Sequence, residues 1–335
     1  MSTVLVTGST GFVGRHLCHA LALRGYGVRG TYRLAPSTDG YAPEMEWVQV
    51  RDIGPDTDWQ EALRGMNYVV HLAGLAHRLG ADDKDLKEAF NHVNARGTAR
   101  LADAIRGSSV RRLVFISSAK AMVRDALAPG AANLPDSEYG RSKFAAEQAI
   151  TQALADGDAD FCILRPCLVY GPGNLGNMAR LMRLINTGLP LPFGSIHNRK
   201  SFIYVGNLVA AIATCLTHPA ASRRTFALSD GEAISTPELL YRLGRYSSRR
   251  VRLLPMPVPL MKAIAKVGDS IRRWTGISIG WDSYSVDRLC NSLTVNAQEF
   301  FDQLQWTPPY SMEEGIRITM SSAALPPATV TARAS

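Results

Sequence analysis

Two periodicities alternate along the first half of the chain. Short apolar runs at 4–7, 28–32, 47–50, 68–72, 113–117 and 161–165 have the length and β-branched content of strands. Between them, residues 12–24, 58–64, 85–106 and 139–155 repeat apolar positions at helical spacing. This alternation predicts an α/β fold with a doubly wound parallel sheet. Leu113-Val114-Phe115-Ile116 is apolar on both faces, as expected of a strand covered by helices on each side.

Beyond residue 170 the alternation lapses. Gly171-Pro172-Gly173-Asn174 is a turn signal, and helical patterns at 178–186, 206–217 and 237–246 are separated by proline-rich stretches. We expect a dinucleotide-binding domain over 1–170. Residues 171–320 are expected to form mainly a smaller C-terminal substrate-binding lobe, with some return to the first domain. The small, polar, proline-containing 321–335 reads as a disordered tail.

Composition narrows the class without changing the fold. The chain has 335 residues, 46% hydrophobic and 20% charged, which is ordinary for a soluble globular protein. Cys18, Cys162, Cys167, Cys215 and Cys290 form no CxxC pair and have no histidine at ligand spacing, so neither a metal site nor a disulfide framework is expected. The first strand pattern starts almost at Met1, so no secretory leader is expected, and the most apolar stretch, 253–267, is interrupted by three prolines and two lysines. A cytoplasmic protein without a spanning segment is the expectation. Net charge is +8, with a cluster at Arg242, Arg245, Arg249, Arg250 and Arg252. Such a cluster is a solvated basic face, or a peripheral contact with an acidic membrane or an anionic substrate. No nucleic-acid module accompanies it.

Gly8-Ser9-Thr10-Gly11-Phe12-Val13-Gly14 stands between the first strand and the first helix. A chain that turns sharply there and brings its backbone against a pyrophosphate needs residues without Cβ. At the end of the second strand, where a carboxylate would bind the ribose of NAD, stand Tyr32 and Arg33. Arg33 suits a 2′-phosphate, so NADP(H) is favoured over NAD(H). Tyr139-Gly140-Arg141-Ser142-Lys143 places a phenol and an ammonium on one helical face. An adjacent cation favours the phenolate and makes the tyrosine a usable acid or base. Ser117 and Ser118 end the fifth strand, where a hydroxyl faces the ligand crevice of an open sheet.

These motifs resemble the extended short-chain dehydrogenase/reductases of Rossmann-type fold, and within them the NAD-dependent epimerase/dehydratase family. The resemblance runs from residue 3 to about 317. It includes 164–173, 202–208 and Trp306-Thr307-Pro308-Pro309-Tyr310. It implies Ser118 as the catalytic hydroxyl, with Ser117 the alternative, and Tyr139 and Lys143 as the acid–base pair. It places Asp52 and Ile53 at the adenine, Leu72, Ala73 and Gly74 along the nicotinamide ribose, and Asn94 near the cofactor. It implies Asn177, Lys200 and Arg288 at a substrate diphosphate, and a possible homodimer. His71 reads as a packed strand residue.

The resemblance implies chemistry at C4 of a UDP-sugar in bacterial surface-polysaccharide synthesis. A UDP-4-keto-6-deoxy-hexosamine 4-reductase is favoured; a UDP-glucose or UDP-N-acetylglucosamine 4-epimerase is the alternative. A non-catalytic dinucleotide sensor is remote, since it leaves the Tyr–Lys pair without a role. A 4,6-dehydratase is disfavoured because Ala119-Lys120 follow the serine where that chemistry needs Asp-Glu.

Overall fold

The computed structural model describes residues 1–34, 40–76, 83–122, 134–174, 177–275 and 282–323. Its strands are β1 (Thr3–Thr7), β2 (Gly27–Tyr32), β3 (Glu46–Gln49), β4 (Tyr68–His71), β5 (Arg112–Ile116), β6 (Asp160–Pro166), β7 (Leu168–Tyr170), β8 (Lys200–Tyr204), β9 (Arg224–Leu228) and β10 (Ala233–Ile234). Its helices are α1 (Phe12–Leu23), α2 (Gln60–Leu63), α3 (Asp83–Phe90), α4 (Gly97–Arg106), α5 (Glu138–Ala153), α6 (Asn177–Asn186), α7 (Val205–Thr217), α8 (Thr236–Gly244), α9 (Val258–Thr275), α10 (Ser283–Cys290), α11 (Gln298–Leu304) and α12 (Met312–Ala323). Most of the expected tail, 324–335, lies outside the described residues.

The chain divides into two compact units. The first holds Met1–Cys167, Val205–Leu228 and Asn296–Pro309; the second holds Leu168–Tyr204, Ser229–Val295 and Tyr310–Ser335.

A seven-stranded sheet in the order β3-β2-β1-β4-β5-β6-β9, parallel throughout, organises the first unit. This is the expected α/β, Rossmann-type architecture. Chain order reverses between β1 and β4, and the crevice at such a reversal is where open α/β sheets bind ligands. Leu5, Trp59, Leu101, Ile105, Phe115 and Ile150 are buried together in a core containing residues of α2, α4 and α5. On α7 almost every side chain is buried, and the helix packs against α1 and β5. Arg112 fastens β5 to its neighbours. It pairs with Asp160 at 2.7 Å and donates to the carbonyls of Cys215 and His218 at 2.9 and 2.8 Å.

The stretch expected as one helix over 85–106 is three elements. α3 and α4 are joined by a turn of π-helix, Asn91–Arg96. The seventh strand, β9, was not expected from the sequence; with α7 and α11 it belongs to the first unit although it follows residue 170.

The second unit contains a small sheet, β10-β8-β7, and the remaining helices. Gly315 of α12 lies under this sheet, where a Cβ would come within 2.5 Å of Tyr170 Oη. That hydroxyl donates to the Met312 carbonyl at 3.2 Å.

Candidate active site

The glycine loop leaves β1 with Gly8 at φ +67°, a conformation that favours glycine. A Cβ on Gly8 would stand 2.8 Å from the Ala73 nitrogen, so the loops after β1 and β4 touch backbone to backbone. A Cβ on Gly14 would fall 2.2 Å from the Gly8 carbonyl oxygen. Gly11 caps α1, its N–H donating to the Gly8 carbonyl at 3.0 Å. Phe12 and Val13 are half-buried in the first helical turn. The loop thus presents backbone and a helix N-terminus to the crevice, and the residues present fit a dinucleotide diphosphate.

A buried polar chain fixes the loop after β4. Ala73 N–H donates to Thr7 Oγ1 at 3.2 Å, Thr7 Oγ1 bonds His71 Nδ1 at 2.7 Å, and His71 Nε2 bonds Thr98 Oγ1 at 3.1 Å. Burial, helped by the Lys143 charge, drives His71 down to about 3, so the ring is neutral and structural. Asn94 sits in the π turn and is buried. Its Oδ1 accepts from Leu75 N–H at 2.8 Å, and its Nδ2 donates to the Leu75 carbonyl at 2.9 Å and to Ser142 Oγ at 3.0 Å. π turns recur at functional sites because the extra residue redirects side chains. A Cβ on Gly74 would meet Asn94 Oδ1 at 3.0 Å and Lys143 Nζ at 3.2 Å, so these three residues converge.

The two strand-end serines part ways. Ser117 is buried, and its hydroxyl donates to Glu147, whose carboxylate also takes Arg165 at 2.5 Å. Ser118, half-buried, accepts from Lys120 N–H at 3.2 Å, and its hydroxyl lies beside the Tyr139 phenol. Burial raises that phenol above its ordinary value, and the Ser118 hydroxyl pulls it partly back. Phe90 meets the Tyr139 ring edge-on at 5.8 Å.

Lys143 is buried, donates to the Ile116 carbonyl at 3.0 Å, and lies 4.7 Å from the Phe115 ring centroid. Burial lowers it to about 8, against the pull of Glu147. The tuning of Tyr139 therefore differs from the sequence expectation. The group that lowers the phenol here is a hydroxyl, while the ammonium is held on the end of β5. Glu147 and Arg165 were missed by sequence reasoning. The signal was present, since Glu147 follows Tyr139 and Lys143 at i+8 and i+4 on the same helical face.

At the outer strands, the Tyr32 ring packs edge-on against Trp47 at 6.2 Å, and Arg33 is exposed. Asp52 is exposed, 3.6 Å from His92 Nε2, and Ile53 Cγ2 packs where a Cβ on Gly97 would fall, at 2.7 Å.

The residues expected at a substrate diphosphate belong to the second unit. Asn177 opens α6, but its side chain lies outside the described residues. Lys200 is buried; its Nζ donates to the Arg288 carbonyl and, at 3.1 Å, to that of Leu289. Burial, and the nearby Arg288 charge, lower it to about 8, with Cys290 opposing. Its donors thus cap the C-terminal end of α10, which is a structural task the sequence pattern did not foresee.

A seven-stranded parallel sheet, a glycine loop after β1 at its switch point and a Ser–Tyr–Lys set at the strand ends are the features of a dinucleotide-dependent enzyme of the extended short-chain dehydrogenase/reductase class. The profile of the NAD dependent epimerase/dehydratase family matches residues 4–228, and the chain belongs to that family. It is similar to the UDP-glucose 4-epimerase of Vibrio cholerae, 35% identical over 95% of this chain and 94% of that protein. It is also similar to the N-acetyl-alpha-D-glucosaminyl-diphospho-ditrans,octacis-undecaprenol 4-epimerase of Escherichia coli O157:H7, 26% identical over 95% and 94% of the two chains. Among solved structures, MoeE5 in complex with UDP-glucuronic acid and NAD superposes with a TM-score of 0.72 at 22% identity, covering 96% of this chain and 99% of that one.

Proposed function

We propose that the protein is an NAD-dependent 4-epimerase of UDP-linked hexoses, with Ser118, Tyr139 and Lys143 as its catalytic set. The observation that carries this reading is the Ser118 hydroxyl beside the Tyr139 phenol after the end of β5, one strand from the switch point between β1 and β4. The choice of epimerase over reductase is supported by the two relatives just described, both named as 4-epimerases and similar over nearly their full lengths.

The loop from Gly8 to Gly14, with Asp52, Ile53, Leu72, Ala73, Gly74, Asn94, Tyr139 and Lys143, would hold the dinucleotide. When bound, the nicotinamide supplies a reversible two-electron sink for the sugar carbon. Tyr139 takes the proton from the sugar O4 as C4 becomes a ketone, and gives it back when C4 is reduced on the opposite face. Ser118 hydrogen-bonds O4 throughout, holding it against the phenol. Lys143, protonated below about pH 8, brings positive charge to the same strand end. Asn177 and Arg288 are the proposed contacts of the substrate diphosphate.

The test is to incubate the purified protein with UDP-glucose and with UDP-N-acetylglucosamine, without added cofactor, and follow inversion at C4 by NMR. An epimerase restores its cofactor in every cycle, so interconversion is expected. A second reading, an NADPH-dependent 4-ketoreductase, is favoured by one observation: β2 ends in Tyr32 and an exposed Arg33, with no carboxylate. Stoichiometric consumption of NADPH by a UDP-4-keto sugar, with no interconversion of UDP-hexoses, would establish that reading instead. Under it, Arg33→Ala weakens NADPH by about 1–3 kcal/mol and leaves NADH unchanged. Under the epimerase reading, the substitution leaves turnover without added cofactor intact.

A further inference from the structure

The chain's net positive charge is confined to one unit. The first unit carries 21 Lys and Arg against 21 Asp and Glu, whereas the second carries 16 against 8. A nucleoside diphosphate brings about two negative charges, so the substrate accounts for only part of an excess of eight. Some of the cations are matched locally. Arg242 is paired with Glu232 and Glu238 at 2.6 and 2.8 Å, and Arg245 lies 3.5 Å from Glu313. Arg249, Arg250, Arg252 and Lys266 are exposed, and among the described residues no ion pair neutralises them.

The same part of the chain exposes apolar side chains. α9 buries Met261 and Ala265 and packs against α10, with Lys262 reaching Asp287 at 2.8 Å. Leu260, Ile264 and Val267 are 49%, 40% and 59% exposed. At i, i+4 and i+7 they form a single stripe along the helix. Leu254, in the segment leading into α9, is 52% exposed. Among the described residues no helix is long and apolar enough to cross a membrane, so this stripe suits a helix lying in an interface.

We propose that the second unit docks on an anionic lipid bilayer, with the Leu260–Ile264–Val267 stripe of α9 entering the headgroup–acyl boundary and Arg249, Arg250, Arg252 and Lys266 meeting lipid phosphates. The occupant follows from charge complementarity. A second copy of this chain would set two such basic surfaces against each other, whereas an anionic membrane offers the opposite sign together with an apolar phase. The residues of this surface all belong to the second unit, and the proposal does not depend on the choice between epimerase and reductase.

The test is co-sedimentation of the full chain with vesicles of phosphatidylglycerol and phosphatidylethanolamine, against vesicles of phosphatidylcholine alone. Binding to the anionic vesicles is expected, at least ~10-fold stronger than to the neutral ones, and weakening as salt rises from about 50 to about 500 mM. The variant L260E/I264E/V267E alters only solvent-facing positions and should keep wild-type turnover of soluble substrate while losing vesicle binding by ~10-fold or more. R250E/R252E should weaken binding and flatten its salt dependence. Failure of the wild type to bind anionic vesicles overturns the proposal, as does undiminished binding by the triple variant. A fall in solution mass in the triple variant, measured by light scattering without vesicles, identifies the stripe as a self-association face and also overturns it.

Discussion

Lys143 and Lys200 are both buried, and burial lowers each to about 8, yet they occupy opposite situations. Lys143 stands at the end of β5 in the first unit, near Gly74 and Asn94, within the crevice that the strand order creates. Lys200 begins β8 in the second unit and donates to carbonyls of Arg288 and Leu289 at the end of α10. A desolvated ammonium is costly wherever it sits, and the fold tolerates it for different returns. A shifted lysine is therefore not by itself the mark of a site; its position relative to the switch point decides what the shift is for.

Tyr139→Phe gives the sharpest contrast between the units. Removing only the phenolic proton should lower kcat by about 10³-fold or more, with dinucleotide affinity unchanged by equilibrium titration. Residual activity above a tenth would remove Tyr139 from its role. Lys143→Met should lower kcat/KM by about 10²-fold with a small change in stability, and the wild-type rate should fall as pH rises through about 8, where the Lys143 charge is lost. An alkaline limb unaltered by Glu147→Gln would contradict this, because Glu147 holds the ammonium charged and its loss should move the limb to lower pH.

His71 tests stability in the first unit. Its folded value, about 3, lies below the ordinary 6.5, so the fold binds the neutral ring. The stabilisation is present above pH 6.5 and is lost as pH falls toward 3, by up to about 1.4 kcal/mol per unit. Urea unfolding at pH 6.5 and pH 5 should differ by about 2 kcal/mol more for the wild type than for His71→Gln. Equal pH dependence would mean that the ring is not buried neutral. The smallest effect is expected in the second unit. Lys200→Met should cost about 1 kcal/mol in thermal unfolding and leave KM for the proposed UDP-sugar within about twofold. A tenfold rise in KM at unchanged stability would return Lys200 to the substrate diphosphate.

The same contrast governs what could be read from sequence. In the first unit the constraints are local. Gly8, Gly11 and Gly14 mark a turn that no side chain can occupy, and Tyr139 and Lys143 share a helical face whatever surrounds them. The choice between Ser117 and Ser118 was not local. Both are hydroxyls at a strand end, and what turns Ser117 aside is Glu147, 30 residues further on. Lys200 illustrates the limit in the second unit, since its partners lie 88 and 89 residues away and no spacing rule connects them. α9 was obscured by Pro255, Pro257 and Pro259. Only Pro259 falls inside the helix, in the first turn, where the missing N–H removes no intrahelical bond.

The π turn at Asn91–Arg96 has a consequence of phase. A residue added to a helix rotates everything after it by about 100° relative to what came before. α3 and α4 are therefore one rod wound out of step with itself, and the wider turn absorbs the offset at the point where Asn94 meets both carbonyl and amide of Leu75. Shortening the segment by one residue, for instance by deleting Ala95, would let the rod run as continuous α-helix. One half would then have to turn against the sheet, either lifting the buried face of α4 from its neighbours or carrying Asn94 away from Leu75. The length of this stretch is consequently as tightly constrained as its composition, and a single-residue gap here should be tolerated less well than most substitutions.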